Sequence, residues 1–369
     1  MLDESVYRKR IEEVHKYLEK SNFDFALLTP GPSFQYLTGF KYEMRERLLA
    51  LLIMKDSETQ IIAPAFEVAN HRSNTWIKKF TSWAEDENPY AIVSNLVGGK
   101  NKGLSVFLDD GTPLGVYWAL ETAMGGFNKS ASLSPMINSM RLKKSDKEIE
   151  LMKRAGEIIS NAVNSAFLET RLGMTELEVQ QIVQDEIRRQ GAIPTFAAVQ
   201  FGEKTALPHA ESGNRELRKG DAVLLDCGCS LSGYNTDMTR VGVAGALTEE
   251  LEQVYSTVLR ALETALKHIM PGMSCGTADG IARRVIDDAG YGEFFTHRLG
   301  HGIGLEVHEP PYLVRGNSKE LQPGMCHSIE PGIYLEGKFG IRIEELVCIR
   351  ENGLELLTFM PRDLILIDH

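Results

Sequence analysis

The chain has 369 residues, 43% of them hydrophobic and 25% charged, as in soluble globular proteins, and its length suits two domains better than one. A net charge of −11 argues against nucleic acid and anionic membranes as partners, and no run approaches the roughly 18 apolar residues of a membrane span. The charged start of the chain predicts no signal peptide, and five scattered cysteines, an odd number, favour a reducing cytoplasm over a disulfide framework.

Residues 1–140 alternate between helix-like and strand-like segments. The stretch Tyr7–Ser21 has apolar residues at helical spacing. The stretches Phe23–Pro30, Arg47–Met54 and Thr59–Ala65 have the character of buried strands bounded by Pro, Gly or Asp. We therefore predict a small α/β N-terminal domain over residues 1–140.

A capping box marks the start of the next domain. Ser145 and Glu148 have the spacing at which a serine caps the first helical turn while the glutamate reaches back to the serine amide. We expect a long helix to begin here, with the domain boundary just before it, so that residues 141–369 form the second domain.

The second domain contains an internal repeat. Gly173–Gly191 and Gly272–Gly290 align without gaps at an offset of 99, and each copy follows a helical stretch and precedes strand-like sequence. Two interpretations stay open: chance similarity of two amphipathic helices, or duplicated half-domains with pseudo-twofold symmetry. In the second case, a site between the halves would take ligands from both.

Two aspartates lie at the ends of a predicted hairpin. If the loop is Ser230–Gly233, Asp226 lies directly opposite Asp237 and points to the same face. Carboxylates this close repel each other, which raises a pKa or requires a cation between them. The hairpin therefore predicts a metal site.

The same construction recurs later in the chain. Glu330 and Glu344 would oppose each other across a hairpin centred on Gly337, and His301, flanked by glycines, lies between the two acidic pairs. Singly, each residue has a structural explanation such as a turn cap, but the joint pattern favours a site rich in oxygen ligands. Such a site suits Mn²⁺ or a related divalent ion, whereas a site rich in thiolates would suit zinc. Carboxylates shared between ions suggest two ions about 3.5–4 Å apart.

Four segments of this region resemble one family. "DCGCSLSGYNTDMTR", "GHGIGLEVHE", "IEPGIY" and "GIRIEE" are similar, in order and spacing, to motifs of the prolidase and aminopeptidase P metallopeptidases. The resemblance runs from about Ser145 to the C-terminus, and "FQYLTGF" is similar to the family's N-terminal domain. It implies an α/β two-domain fold: a small α/β N-terminal domain and a C-terminal pita-bread catalytic domain of duplicated α+β halves.

The resemblance also implies the metal ligands. Asp226 would bind one divalent ion, His301 and Glu330 would bind the other, and Asp237 and Glu344 would bridge the two. We expect Mn²⁺, with Co²⁺ or Zn²⁺ as alternatives.

Substrate binding and catalysis are implied for His209, His297 and His308. The expected reaction is metal-assisted hydrolysis of the imide bond before proline in short peptides, with release of the N-terminal residue. His308 or a metal would polarise the scissile carbonyl, and Glu330 would relay a proton toward the leaving nitrogen. The resemblance further implies a homodimer.

The length of the substrate stays open. A dipeptidase should hold the free carboxylate of its substrate, and the guanidinium fork of arginine suits that task. Family dipeptidases often carry Arg just after the His-Glu pair, but here Tyr312 stands in that place and Arg315 follows three residues later. We take Arg315 as the candidate, with Arg298 as another cation near the site.

Three other classes of function fit the sequence less well. A methionine aminopeptidase has a similar core but no large N-terminal domain, a creatinase-like hydrolase works without metal, and a non-catalytic binding module would have lost ligands. The G-x-S-x-G match at Gly272–Gly276 lacks a preceding strand, so we expect Ser274 to be a helix N-cap rather than a nucleophile. Cys227 and Cys229 are expected to be packing residues.

Overall fold

Six short strands form the central sheet of the N-terminal part in this computed structural model, which describes residues 2–368. They are Phe25–Leu28 (β1), Ala50–Met54 (β2), Gln60–Pro64 (β3), Phe80–Trp83 (β4), Ser105–Leu108 (β5) and Lys129–Ser132 (β6). The order across the sheet is β4-β3-β2-β1-β5-β6; β1–β2 and β2–β3 are antiparallel, and the other pairs are parallel.

Helices accompany this sheet: Glu4–Ser21 (α1), Pro32–Thr38 (α2), Val68–Arg72 (α3), Pro89–Leu96 (α4), Leu114–Met124 (α5) and Ser134–Arg141 (α6). The predicted first helix and all three predicted strands are present. Strands β1, β2 and β3 are buried along their whole length, because they lie inside the sheet and carry apolar runs. This part is one compact unit, and a second unit begins at Leu142.

Four long helices belong to the second unit: Asp146–Glu169 (α7), Glu176–Arg189 (α8), Glu249–His268 (α9) and Cys275–Asp288 (α10). The capping box forms at the start of α7, where the amide and hydroxyl of Ser145 donate to the Glu148 carboxylate at 2.7 and 2.8 Å. Short 3₁₀ turns lie at Gly202–Ala206 and Gly292–Phe294.

The internal repeat is structural. Helices α8 and α10 begin and end 99 positions apart, capped by Thr175 and Ser274, whose side chains accept from Glu178 N and Thr277 N. Each cap residue also forms an isolated antiparallel bridge, to Glu216 in one half and to Glu320 in the other. The second unit therefore consists of duplicated halves, and Ser274 is the N-cap that the sequence predicts.

The strands of the second unit form two sheets and a hairpin. They are Ile193–Phe201 (β7), Ala222–Leu231 (β8), Tyr234–Ala244 (β9), Gly300–Gly302 (β10), Glu309–Leu313 (β11), Cys326–Ile329 (β12), Gly332–Leu335 (β13), Phe339–Arg342 (β14), Glu345–Arg350 (β15), Gly353–Leu356 (β16) and Ile365–Ile367 (β17). The sheet orders are β17-β9-β8-β7 and β11-β10-β12-β15-β16, and β13 pairs with β14.

The two faces of strand β8 pack into two different hydrophobic cores. Its odd-numbered residues, including Cys227 and Cys229, pack with α7 and α8, as predicted for both cysteines. Ala222 and Leu224 point the other way into the core of α9 and α10, so Asp226 continues that second face.

Within residues 2–368, no helix combines the length and apolar character that crossing a bilayer requires.

Candidate metal centre

The β8–β9 hairpin presents two aspartates on one face, but not in the predicted register. Its turn is the two-residue Ser232–Gly233, so Asp226 pairs with Thr239 and Asp237 pairs with Gly228. The expectation that Asp226 lies directly opposite Asp237 is therefore wrong by two residues. The carboxylates sit at diagonal positions of the same face, a spacing of about 7–8 Å between Cα atoms that the side chains can close.

The second acidic pair lies where two ladders meet. Ile329 pairs with Glu345 in the β12–β15 ladder, and Gly332 pairs with Arg342 in the β13–β14 hairpin. The same register on both sides places Glu330 opposite Glu344, as the sequence predicts.

His301 joins these carboxylates from strand β10. Its glycine neighbours are required by packing: a Cβ on Gly300 would lie 2.0 Å from the carbonyl oxygen of Ser328, and one on Gly302 would lie 2.6 Å from that of Glu309. Possible ligand atoms fall within 4.8 Å of one another in three overlapping groups: Asp226, Asp237 and Glu344; His301, Glu330 and Glu344; and Asp237, His301 and His308.

The contacts within the cluster call for a cation. His301 Nδ1 lies 3.0 Å from the carbonyl oxygen of Gly302, which only accepts, so the Nε2 atom carries the lone pair. That lone pair faces Glu330 Oε1 at 3.3 Å and Asp237 Oδ2 at 3.6 Å, which are also acceptors. Asp237 Oδ1 and Glu344 Oε1 are buried and find no hydrogen-bond partner among the described residues.

The directions in which the pKa values of these groups are shifted agree with this geometry. Burial, followed by the neighbouring carboxylates, raises the pKa of Asp237 and of Glu344 well above the usual range, and burial raises the pKa of Glu330 to about 7. Burial and nearby His308 lower the pKa of His301 to about 3, which keeps the imidazole neutral, the form that binds metal. The residues present therefore fit a divalent metal site.

Arg342 neutralises one side of the cluster and was not foreseen. Its guanidinium, 4% exposed, donates to Asp226 Oδ2 at 2.6 Å, to the Tyr334 hydroxyl at 2.9 Å and to Thr239 Oγ1 at 3.1 Å. Thr239 in turn donates to Glu344 Oε2 at 2.8 Å. Strand alternation could have indicated Arg342, because it lies two residues before Glu344 and so shares its face.

Ser328 orders the other side of the cluster. Its hydroxyl donates to Glu330 Oε1 at 2.9 Å and accepts from the His301 amide at 3.0 Å. One side chain thus links two of the predicted ligands. A single serine in a strand has no sequence pattern that indicates such a role, so Ser328 was not predicted.

The cluster lies in a cavity of about 970 Å³ whose lining includes His209, His297 and His308. His209 and His308 are exposed, whereas His297 is half-buried, with its Nδ1 atom near the Arg298 carbonyl oxygen at 2.7 Å and its Nε2 atom near the Tyr334 hydroxyl at 2.8 Å. Both ring nitrogens of His297 are therefore engaged within the protein. Burial lowers the pKa of His297 to about 4.

The structure does not bring Arg315 into this cavity. Strand β11 ends at Leu313, which pairs with Gly300, so Arg315 falls beyond the ladder in an exposed turn. Arg298 does line the cavity, and its guanidinium lies 4.2 Å from the ring centroid of Tyr312. Arg342 also lines the cavity, but its guanidinium is engaged with Asp226, Tyr334 and Thr239, so Arg298 is the better candidate for a substrate carboxylate.

Comparison with known proteins gives two family matches and close relatives along the whole chain. An Xaa-Pro dipeptidase of Lactobacillus delbrueckii subsp. lactis is 31% identical over 359 residues, covering 96% of this chain and 98% of the relative. The structure of a prolidase from Thermococcus sibiricus matches with a TM-score of 0.91, 35% identity and full coverage of both chains. That of an X-Pro aminopeptidase from Thermotoga maritima matches with a TM-score of 0.86 and 31% identity, covering 97% of this chain and 99% of the other.

The family models divide the chain between them. Residues 10–143 match the creatinase/prolidase N-terminal domain, and residues 150–351 match metallopeptidase family M24. The second match contains all five predicted ligands. With the prolidase-like fold and the acidic cluster already described, the chain belongs to metallopeptidase family M24 of the prolidase and aminopeptidase P type, and it is a peptidase.

Proposed function

We propose that this peptidase hydrolyses the bond before proline and releases the N-terminal residue of short Xaa-Pro peptides. The observation that carries the proposal is the cluster of four carboxylates and one imidazole in a cavity that is also lined by histidines and two arginines. The relatives named as Xaa-Pro dipeptidase, prolidase and X-Pro aminopeptidase support the choice of substrate.

Two divalent ions would be held by Asp226, Asp237, His301, Glu330 and Glu344. Four carboxylates and one imidazole make Mn²⁺ our proposal for the metal, because hard oxygen ligands prefer it. When bound, such ions supply Lewis acidity to a carbonyl and lower the pKa of a water molecule.

The chain's own residues would complete the reaction. Glu330, whose Oε1 atom accepts from the Ser328 hydroxyl at 2.9 Å, would accept a proton and return it to the leaving nitrogen. Although His308 is exposed, partial desolvation of its ring in the cavity, followed by nearby Arg298, lowers its pKa, so it would be neutral and would donate an N–H to the substrate carbonyl. His209, exposed at the cavity, would bind the peptide.

Arg298 replaces Arg315 as the proposed clamp for a free substrate carboxylate. It lines the cavity and packs against Tyr312, which restricts the guanidinium without using its donors. A dipeptide places its carboxylate beside the proline ring, whereas a longer peptide has a neutral amide there. A clamp at this position therefore favours dipeptides.

The test compares an Xaa-Pro dipeptide, an Xaa-Pro-Yaa tripeptide and an Xaa-Ala dipeptide in the wild type and in Arg298→Leu. We expect Arg298→Leu to lower kcat/KM for the Xaa-Pro dipeptide by about tenfold to a hundredfold and to change the tripeptide little, because a charge-assisted bond is lost. Arg315→Leu is the matched control and should leave both values within about twofold.

Three outcomes would change the proposal. Equal or faster cleavage of the tripeptide by the wild type would make the enzyme aminopeptidase P-like. Fast cleavage of Xaa-Ala would remove the proline preference. An unchanged dipeptide rate in Arg298→Leu would remove the clamp.

The family also leads us to propose a cytoplasmic homodimer. Light scattering should then give twice the chain mass of 41.1 kDa at micromolar concentration. A value of one chain mass would contradict the dimer.

A further inference from the structure

The segment that carries His209 is a tight turn. Leu207 and Ala210 are its first and last residues, joined by a hydrogen bond from Ala210 N to Leu207 O of 3.0 Å. Pro208 and His209 occupy the two central positions, where proline favours the turn conformation. The turn therefore determines where the His209 side chain enters the cavity.

Gln200 supports this turn from the buried side. It lies on β7, fully buried, two residues after Ala198 and on the same strand face; Ala198 itself lines the cavity. Its Nε2 atom donates to Leu207 O at 3.1 Å and to Ala210 O at 2.8 Å. A carboxamide nitrogen has two hydrogens, so both are used on the two ends of one turn.

Other supports act further along the chain. Ser212 Oγ accepts from Val199 N at 2.8 Å, and the buried carboxylate of Glu176 accepts from Gly213 N at 2.8 Å. These contacts fix the segment after the turn. In the described part of the chain, the side chain that bonds to the main chain of the turn itself is that of Gln200.

The remaining atom of the carboxamide indicates what Gln200 is for. Its Oε1 atom is buried without a hydrogen-bond partner among the described residues, which is unfavourable in a protein interior. An apolar residue would fill the same space without that penalty, but the Ala210 carbonyl would lose its donor and Leu207 O would keep the Ala210 amide alone. The two donated bonds are thus what a glutamine provides here.

We propose that Gln200 is a positioning residue that acts through His209 by holding the turn Leu207–Ala210 in place. This inference rests on the substrate-binding role given to His209 in the proposed function. Gln200 lies beneath the turn and is absent from the cavity lining, so its effect on the reaction passes through the turn.

The test replaces Gln200 by methionine, which has similar length but no donors. Hydrogen exchange of residues 207–213 and kcat/KM for an Xaa-Pro dipeptide are measured on the metal-loaded full chain. We expect exchange in this segment to be about tenfold faster and kcat/KM to fall by about tenfold to a hundredfold, because a displaced group loses its productive geometry.

A matched control is available in the N-terminal unit. Gln60 lies on β3, 1% exposed, with Oε1 accepting from Thr81 Oγ1 at 2.7 Å. Gln60→Met makes the same chemical change in a buried strand, and it should leave kcat/KM and the exchange of residues 207–213 within about twofold of wild type.

A double variant separates positioning from general damage. In a His209→Ala background, Gln200→Met should lower kcat/KM by no more than about twofold, because both changes remove the same contribution. Unchanged exchange in Gln200→Met, or a full additional loss in the His209→Ala background, would overturn the inference. If His209→Ala alone leaves kcat/KM unchanged while Gln200→Met still accelerates exchange, the role of His209 fails and the support of the turn stands.

Discussion

At the residue scale, Arg240 shows how a buried charge can be fully satisfied. Its guanidinium is 1% exposed and donates to five oxygens: Pro361 O, Thr239 O, Glu344 O, Glu345 Oε1 and Met360 O, at 2.9, 3.0, 2.6, 2.7 and 2.6 Å. All five donors of an arginine are thereby used. The residue ties strand β9 to the main chain of a proposed metal ligand.

Lysine at this position should be destabilising although it keeps the charge. Arg240→Lys offers three donors instead of five, so at least two buried oxygens lose a hydrogen bond, and we expect a loss of about 3 kcal/mol in the free energy of unfolding. Urea unfolding measures this value. Arg188→Lys, on an exposed arginine, is the control and should cost less than about 0.5 kcal/mol; equal effects of the two changes would contradict the explanation.

The clustering of the proposed metal ligands was more predictable than their surroundings. The carboxylates and His301 stood out because like charges placed together need a cation, a rule that sequence spacing can express. Arg342 and Tyr334 did not, because the chain of bonds from Asp226 through Arg342 to Tyr334 and His297 joins strands distant in sequence. Arg315 was expected at the site because it is close to His308 in sequence. The structure places it elsewhere because strand β11 ends before Arg315.

At the element scale, the hairpin register shows the limit of symmetry arguments. A four-residue loop would have placed Asp226 opposite Asp237, but Ser232 and Gly233 both adopt positive φ, 51° and 90°, and close a two-residue turn. Such turns match the right-handed twist of the strands. Serine is an uncommon residue at positive φ, so this turn has no clear signal in the sequence. The shift of two residues keeps side-chain direction, which is why the shared face was still predicted.

The duplicated helices permit a matched experiment. Thr175 and Ser274 cap α8 and α10 at equivalent positions, so Thr175→Ala and Ser274→Ala should each lower the free energy of unfolding by about 1 kcal/mol. Neither residue lies at the cavity, and kcat/KM should therefore be unchanged. Urea unfolding measures the change in stability, and a peptidase assay measures kcat/KM. A loss of activity in Ser274→Ala with normal stability would instead support Ser274 as a nucleophile.

At the scale of the whole molecule, two units with separate cores were foreseeable from patterning. The capping box at Ser145 predicts where the second unit begins, and the repeat of Gly173–Gly191 in Gly272–Gly290 predicts that this unit has two similar halves. The order of strands in the two sheets of the second unit had no such signal, because β10, β12 and β16 are only three or four residues long.

The cluster should also set how stability depends on pH when no metal is bound. A carboxyl whose pKa is higher in the folded than in the unfolded chain stabilises the fold less as pH rises, because the unfolded form ionises first. Burial raises the pKa of Glu330 from an ordinary 4.5 to about 7, and it raises those of Asp237 and Glu344 well above their ordinary values. The buried histidines have lowered pKa values and act in the opposite sense, but only below about pH 6.5.

The effect of the carboxyls on stability is therefore best measured between about pH 6.5 and 8, above the ordinary histidine pKa of about 6.5. There the Tm of chelator-treated protein should fall as pH rises, whereas Mn²⁺ should raise Tm and reverse the slope, because the ion replaces the protons that the carboxylates would otherwise need. Elemental analysis of the Mn²⁺-treated protein should find about two ions per chain. Replacing Asp237 and Glu344 by Asn and Gln should flatten the metal-free slope, since the amides do not ionise. A metal-free Tm that rises through this window would show that the carboxylates are already compensated by the protein, and the case for a cation at their centre would fail.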